Sequence, residues 1–223
     1  MQHFEQEIAT LKERLLTMAS LAEAAVNKAI KALVDRDDDL ARRVKEEDNA
    51  IDQLEIEIDD MAIGLLAKAP LARDLRLITV AMKISHDLER VGDEATTIAR
   101  RSLELSQEPQ LKPYVDIPRM AKMALEMLDE ALGAFVSGNA EKARVVIPRD
   151  KEVDVLNRQL HRELSSYMVE RASTISRCLN LMVIAKSLER IADHATNVAE
   201  EVVYLYEAKD IRHSGKGQPP PEP

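Results

Sequence analysis

Pairs of carboxylates spaced four residues apart recur along this chain, and they are its residues best suited to bind a ligand. In a helix, this spacing places both side chains on one face, one turn apart. A single pair is weak evidence because a solvated helix face often carries the same pattern. Four pairs stand out because they recur at corresponding positions of two similar segments: Asp48 with Asp52, Glu89 with Asp93, Asp150 with Asp154, and Glu189 with Asp193.

The pairs are predicted to face each other across two helical hairpins. In two antiparallel helices, residues equidistant from the connecting turn lie at the same level. The facing carboxylates are centred between Pro70 and Leu71 in the first half, and between Arg171 and Ala172 in the second half. The facing partners are therefore Asp48 with Asp93, Asp52 with Glu89, Asp150 with Asp193, and Asp154 with Glu189.

Each cluster of four carboxylates requires compensating positive charge, because ionised carboxylates repel one another. Oxygen ligands suit magnesium, calcium, manganese or iron. Zinc also fits if His161 or His194 supplies a nitrogen donor. The alternative is a polar layer without metal, in which Arg90 or Arg190 forms salt bridges with the carboxylates.

Long helices must position these groups. The chain has six glycines, no tryptophan and 3% aromatic residues, a composition that favours helices with an aliphatic core. Helical periodicity predicts six helices, at residues 3–35, 38–68, 71–106, 117–136, 139–170 and 174–211. The short turns between them make neighbouring helices antiparallel. Pro148 is expected to kink the fifth helix.

The second half of the chain repeats the first. Seven of the twelve residues at 88–99 are identical to those at 188–199, and such repetition indicates a repeated structural unit. We therefore predict an all-α fold of two tandem antiparallel three-helix bundles, each with its own core, related by a pseudo-two-fold axis or a simple rotation. The predicted domains are residues 1–107 and 117–213. Residues 214–223, rich in glycine and proline, are predicted to be a disordered tail.

Composition narrows the classes of function. The net charge of -9 argues against nucleic acid or anionic lipid as the main ligand. No apolar run is long enough for a membrane span and the amino-terminal segment is polar, so neither direct membrane insertion nor secretion is expected. The single cysteine, Cys178, has no partner for an internal disulfide, which favours the cytoplasm.

Motifs for catalysis are missing from the sequence. It has no Glu-x-x-His pairing, no Gly-rich phosphate loop and no Cys-x-x-Cys, so an enzyme is not expected. Two other classes stay open beside a metal-binding protein without catalysis. One is a metal-dependent enzyme on a helical bundle, and the other is a metal-free helical adaptor.

Residues 188–197, Leu-Glu-Arg-Ile-Ala-Asp-His-Ala-Thr-Asn, together with their counterparts in 88–99, resemble the PhoU family of bacterial phosphate-signalling proteins. The aspartate pairs and Pro70 with the Asp-Leu-Arg at 74–76 extend the resemblance from about residue 5 to residue 213. It implies a three-helix bundle in each half, with iron, zinc or other metal clusters on the paired motifs. The implied ligands are Asp48, Asp52, Glu89, Asp93, Asp150, Asp154, Glu189 and Asp193.

The resemblance also implies a function. Members act as negative regulators of phosphate uptake and of the phosphate-starvation response, with the ATPase subunit of the phosphate ABC transporter and a sensor histidine kinase as partners. We further expect a homodimer, because long amphipathic helices often leave apolar surface uncovered. Glu55 and Asp59 continue the motif of the second helix, whereas the fifth helix has Asn157 and His161. The two metal sites are therefore expected to differ in nuclearity or affinity.

Overall fold

The computed structural model describes residues 2–69 and 71–211, and every regular element within them is helical. The predicted all-α class is confirmed. The α-helices are α1 (Gln2–Asp35), α2 (Asp38–Glu47), α3 (Asn49–Leu66), α4 (Ala72–Ser106), α5 (Asp116–Ser137), α6 (Ala140–Val146), α7 (Asp150–Glu170) and α8 (Ile175–Glu207). Within these residues, no helix is both long enough and apolar enough to cross a membrane.

The eight helices form six rods, three in each half, as predicted. Two of the predicted helices are interrupted: α2 and α3 meet at Asp48, and the 3₁₀ turn Ile147–Arg149 joins α6 to α7. The second interruption has a direct cause, because Pro148 has no backbone N–H to continue the helical hydrogen bonds. The first interruption lies at Asp48, the first carboxylate of its motif, and the second lies immediately before Asp150, the first carboxylate of the other motif.

Local capping sets the ends of the rods. Asp37 caps α2 by accepting a hydrogen bond from the Leu40 N–H at 2.9 Å, and Asn139 caps α6 by accepting one from the Lys142 N–H at 3.1 Å. The last helix ends at Glu207 rather than at the predicted residue 211, because Ala208 adopts a left-handed conformation with φ 56°. Pro70, in the predicted turn between the second and third helices, lies outside the described residues.

The segment 107–115 contains no helix or strand, which agrees with the linker expected between the two domains. Arg36, in the turn after α1, donates hydrogen bonds to the carbonyls of Ser106 and Glu108, both at 2.7 Å. These bonds hold the start of the linker against the first half. The domain limits 1–107 and 117–213 remain our proposal, and the predicted tail at 214–223 lies outside the described residues.

Two central helices, α4 and α8, join the halves. α1 and α3 pack on α4, α5 and α7 pack on α8, and α4 packs along α8. α1 also lies beside α5, where the Lys12 ammonium sits 5.8 Å from the Phe135 ring centroid. The expectation of a separate core in each half is wrong, because the buried apolar residues form one continuous cluster. The reason is that α4 and α8 each bury side chains on more than one face.

Polar contacts along α4 and α8 define the relation between the halves. Residues with increasing numbers along α4 contact residues with decreasing numbers along α8, so the two helices are antiparallel. This order is what a pseudo-two-fold axis centred near Val91 and Ile191 requires, and both of those residues are fully buried. The contacts are Lys83 with Glu201, Asp87 with His194, Glu94 with Arg190, and Arg101 with Asn180.

Candidate metal-binding sites

The first carboxylate cluster lies where α3 crosses α4. Burial raises the pKa of Asp48 to about 6, with further contributions from the negative charges of Asp52 and Asp93. The approach of the helices is very close at Gly92, where a Cβ would lie 3.0 Å from Oδ1 of Asp48 and from Cδ1 of Ile51. Glycine at this position therefore allows Asp48 to reach the carboxylates of α4.

Glu89 completes this cluster from α4. Burial raises the pKa of its carboxyl, as do the charges of Asp93 and Glu55, against the opposing effects of Arg90 and His86. Oε2 of Glu89 is buried and accepts no hydrogen bond from the described residues, although Nε of Arg90 lies 3.1 Å away. An oxygen in this state fits a metal ion, which would supply the missing partner.

The second cluster lies between α7 and α8 and contains all four predicted carboxylates. Burial raises the pKa of Asp193 to about 6, and the charges of Glu189, Asp154 and Asp150 act in the same direction. Lys186 opposes this rise and forms an ion pair with Glu189. Within residues 2–69 and 71–211, nothing donates a hydrogen bond to the buried Oδ1 of Asp150. The structure thus places Asp48 near Asp93 and Asp150 near Asp193, which are two of the four pairs that the sequence symmetry predicts.

Basic side chains neutralise part of each cluster. In the first half, Arg90 lies 3.1 Å from Glu89 and places Nη1 2.9 Å from Oδ2 of Asp93. This agrees with the salt-bridged polar layer considered from the sequence. Arg190 does not do the same in the second half, because it pairs at 3.0 Å with Glu94 across the α4–α8 contact. Lys186 takes its place there.

The two histidines considered as nitrogen donors have different surroundings. Nδ1 of His194 lies 2.8 Å from Oδ1 of Asp87 on the other half, and the Asn197 amide donates to the same oxygen at 3.1 Å. One ring nitrogen of His194 is therefore used in the contact between the halves. His161 lies one turn beyond Asn157 on α7, and its Nε2 is buried without a hydrogen-bond partner among the described residues.

A third histidine, His86, belongs to the first cluster and was not anticipated as a donor. Glu55, His86 and Glu89 each bring one ligand atom to within 4.8 Å of the others, and Nδ1 of His86 lies 3.2 Å from Oε1 of Glu55. The signal was present in the sequence. Glu55 and His86 are equidistant from the same point between Pro70 and Leu71 as the predicted carboxylate partners.

A groove of about 580 Å³ opens beside Glu55 and His86. Lys83 and Glu201, which are 3.0 Å apart, also line it. The exposed fraction of the His86 side chain is 60%, so this end of the first cluster is accessible from solvent. The arrangement offers ligand atoms with access from solvent.

Comparison with known proteins finds the same family in both halves. The sequence model of the PhoU domain matches residues 15–102 and again residues 117–202. The phosphate-specific transport system accessory protein PhoU homolog of Pseudomonas aeruginosa is 43% identical over 216 residues, which cover 96% of this chain and 89% of that protein. The accessory protein PhoU of Escherichia coli (strain K12) is 33% identical over 95% of this chain and 88% of its own length.

Solved structures agree with the fold. The crystal structure of PhoU from Pseudomonas aeruginosa superimposes with a TM-score of 0.89 at 42% identity. The match covers 92% of this chain and 100% of that chain. The phosphate transport system regulatory protein PhoU from Streptococcus pneumoniae gives a TM-score of 0.87 at 30% identity, covering 93% of this chain and 98% of that chain.

Proposed function

Because the chain belongs to the PhoU family of phosphate-transport accessory and regulatory proteins, we propose that it is a negative regulator of phosphate uptake and of the phosphate-starvation response. The observation that carries this proposal is the similarity to such proteins over both halves and nearly the whole chain. The chain is an accessory protein and not an enzyme, so a metal-dependent enzyme is set aside.

In this proposal the protein acts in the cytoplasm and links two partners, the ATPase subunit of the phosphate ABC transporter and a sensor histidine kinase. The names of the relatives, phosphate-specific transport system accessory proteins, support the first partner. The kinase follows from the family resemblance alone. Exposed apolar side chains two turns apart on α3, Ile56 and Ile63, support a homodimer.

The test of the regulatory function is deletion of the gene in its own host. With phosphate plentiful, the deletion should switch on a phosphate-responsive reporter, and the wild-type gene on a plasmid should switch it off again. Unchanged expression in a strain without a paralogue would contradict the proposal. Affinity capture of the tagged protein under high phosphate should recover the transporter ATPase, which gives an independent check on the partner.

Metal binding by the repeated carboxylates is the second part of the proposal. Each half is proposed to hold at least one cation, which would be iron, zinc, manganese or magnesium. Asp48, Asp52, Glu89 and Asp93 are the ligands in the first half, and Asp150, Asp154, Glu189 and Asp193 are the ligands in the second. Two features support this assignment: the raised pKa of Asp48 and Asp193, and the buried oxygens of Glu89 and Asp150 that accept no hydrogen bond from the residues that the structure describes.

A metal-free adaptor is the second candidate, and a specific observation favours it. Arg90 and Lys186 already place one positive charge in each cluster. Elemental analysis separates the two candidates after purification and again after soaking in manganese, iron or zinc. Bound metal that disappears when all eight carboxylates are changed to their amides supports the metal sites. A protein that holds no metal under either condition supports the adaptor.

A further inference from the structure

One turn beyond the carboxylate pairs, the two halves of the chain differ in their chemistry. In the first half this level holds Glu55 on α3 and His86 on α4, with Glu89 beside them. The corresponding positions of the second half hold Asn157 and Lys186. We call these positions the third level of each cluster: Glu55 and His86 in the first half, and Asn157 and Lys186 in the second.

We propose that Glu55, His86 and Glu89 form a nitrogen-containing site for a divalent transition-metal ion such as Zn²⁺, and that the second half has no equivalent site. This proposal rests on the metal binding proposed above. It adds that the site in the first half of the chain selects transition-metal ions. The ligand atoms already lie within 4.8 Å of one another. Three ligands that bind one cation at about 2.0–2.2 Å in tetrahedral geometry lie about 3.4 Å apart, so these atoms must move closer together when the ion binds.

The donor set decides the type of metal. Imidazole nitrogen binds zinc, iron, nickel or copper well, whereas magnesium and calcium prefer oxygen ligands. Histidine nitrogen and carboxylate oxygen are both zinc ligands, and an open zinc site with three protein ligands holds water in the fourth position. The groove of about 580 Å³ beside Glu55 and His86 gives the ion and its water access from solvent.

The second half shows what replaces a metal at this level. Lys186 stands where the first half has His86, and it forms an ion pair with Glu189. A protonated lysine supplies positive charge but has no lone pair to donate to a metal. Asn157, which replaces Glu55, is neutral. The second half therefore carries its own cation at the third level, and the first half carries ligands there.

Arg90 competes with the ion for Glu89 but does not close the site. Its Nε lies 3.1 Å from Glu89, and 48% of its side chain is exposed. Arg90 also contacts Asp93 through Nη1 at 2.9 Å, so it can keep that contact when a metal takes Glu89. His86 and Glu55 have no arginine or lysine among their ion-pair partners in the described residues. The proposed ion thus replaces one contact of an exposed side chain.

The experiment measures Zn²⁺ binding to the metal-stripped full chain by calorimetry in a large excess of Mg²⁺. We expect the wild type to bind Zn²⁺, and the variants His86→Gln and His86→Lys to lose at least about tenfold in affinity. His3→Gln, at an exposed position on α1, is the control and should bind Zn²⁺ as the wild type does. Adding Zn²⁺ should also shift the NMR ring signals of His86 and leave those of His194 in place.

A gain-of-function variant completes the test. Lys186→His combined with Asn157→Glu should add a second Zn²⁺ of comparable affinity, and circular dichroism checks that every variant is folded. If His86→Gln binds Zn²⁺ as tightly as wild type while changing the eight carboxylates abolishes binding, the third-level site is wrong and the proposed carboxylate sites stand. If the wild type binds no metal at all, both proposals are wrong.

Discussion

Asp48 and Gly92 lie so close that a Cβ on residue 92 would sit 3.0 Å from the Asp48 carboxylate. In the second half the corresponding residue is Ala192. The first cluster therefore depends on a glycine that the second does not need. A methyl group at this position would require the ends of the Asp48 and Ile51 side chains to shift.

The substitution Gly92→Ala tests this contact against a matched glycine. Replacing glycine by alanine inside a helix usually stabilises it by about 1 kcal/mol, and Gly64→Ala should do so because nothing lies within 4 Å of its Cβ position. Overpacking costs about 1–3 kcal/mol, so Gly92→Ala should fall below Gly64→Ala in unfolding free energy measured with urea. Equal stabilisation by both substitutions would contradict the close approach.

Changing one carboxylate should affect metal only in its own half. Asp93→Asn keeps the shape of the side chain but loses the charge that holds a hard cation, so it should lower the metal content of the first half, and Asp193→Asn that of the second. Elemental analysis of each variant and of the double variant measures this additivity, with the exposed Asp60→Asn as control. A double variant that keeps the wild-type metal content would be incompatible with these ligands.

The raised pKa of Asp193 predicts a pH-dependent stability in the metal-free protein. Its folded-state value of about 6 lies above the ordinary value of 3.8, so the folded state holds the proton more tightly than the unfolded state. Stability from this group is therefore present at low pH and is lost as pH rises toward about 6. Asp193→Asn should be more stable than the wild type at pH 7.5, and the difference should shrink or reverse at pH 5.

Denaturation in the presence of a chelator measures this difference at the two pH values. The comparison between variant and wild type is needed because other carboxyls shift in the opposite direction; a hydrogen bond from Lys68 lowers the pKa of Glu7, for example. A difference in stability that is the same at pH 5 and pH 7.5 would show that the pKa of Asp193 is not raised in the folded protein.

Asp87 is expected to stabilise the contact between the halves. It is buried and accepts hydrogen bonds from Asn197 and, in the tautomer that carries the Nδ1 proton, from His194. Asp87→Ala leaves both groups without this partner, which typically costs about 1–3 kcal/mol. Urea denaturation should show that loss, whereas Asp60→Ala, at an exposed position, should change stability little. A loss of stability no larger than that of the control would show that Asp87 does not stabilise the contact between the halves.

The sequence predicted the rods and the facing carboxylates because both depend on regular geometry. Helical periodicity sets which residues share a face, and equal distance from a turn sets which residues meet, as Asp193 and Asp150 do. The continuous core could not be predicted in this way. The continuous core forms because α4 and α8 each bury two faces. Apolar residues on two faces of a helix can be read from its sequence, but the element that packs against the second face cannot.

The surroundings of His194 and the role of His86 were not predicted from the sequence, for a similar reason in the first case. His194 lies on the motif of the second half, but its partner Asp87 belongs to the first half, and nothing in the local pattern indicates a contact so distant in sequence. His86 is the opposite case. The symmetry that paired Asp52 with Glu89 also pairs Glu55 with His86, and extending the comparison by one turn finds it.

The antiparallel contact between α4 and α8 has the form of an interface between two identical subunits. In such an interface each surface contacts its own copy, so any contact between two residues occurs twice. Here the partners are segments of one chain, and the two occurrences no longer match. Asp87 meets His194, whereas the equivalent positions hold Ser187 and Glu94. Joining the copies in one polypeptide frees the two surfaces from carrying the same residues, and the differing third levels of the two clusters show the same freedom.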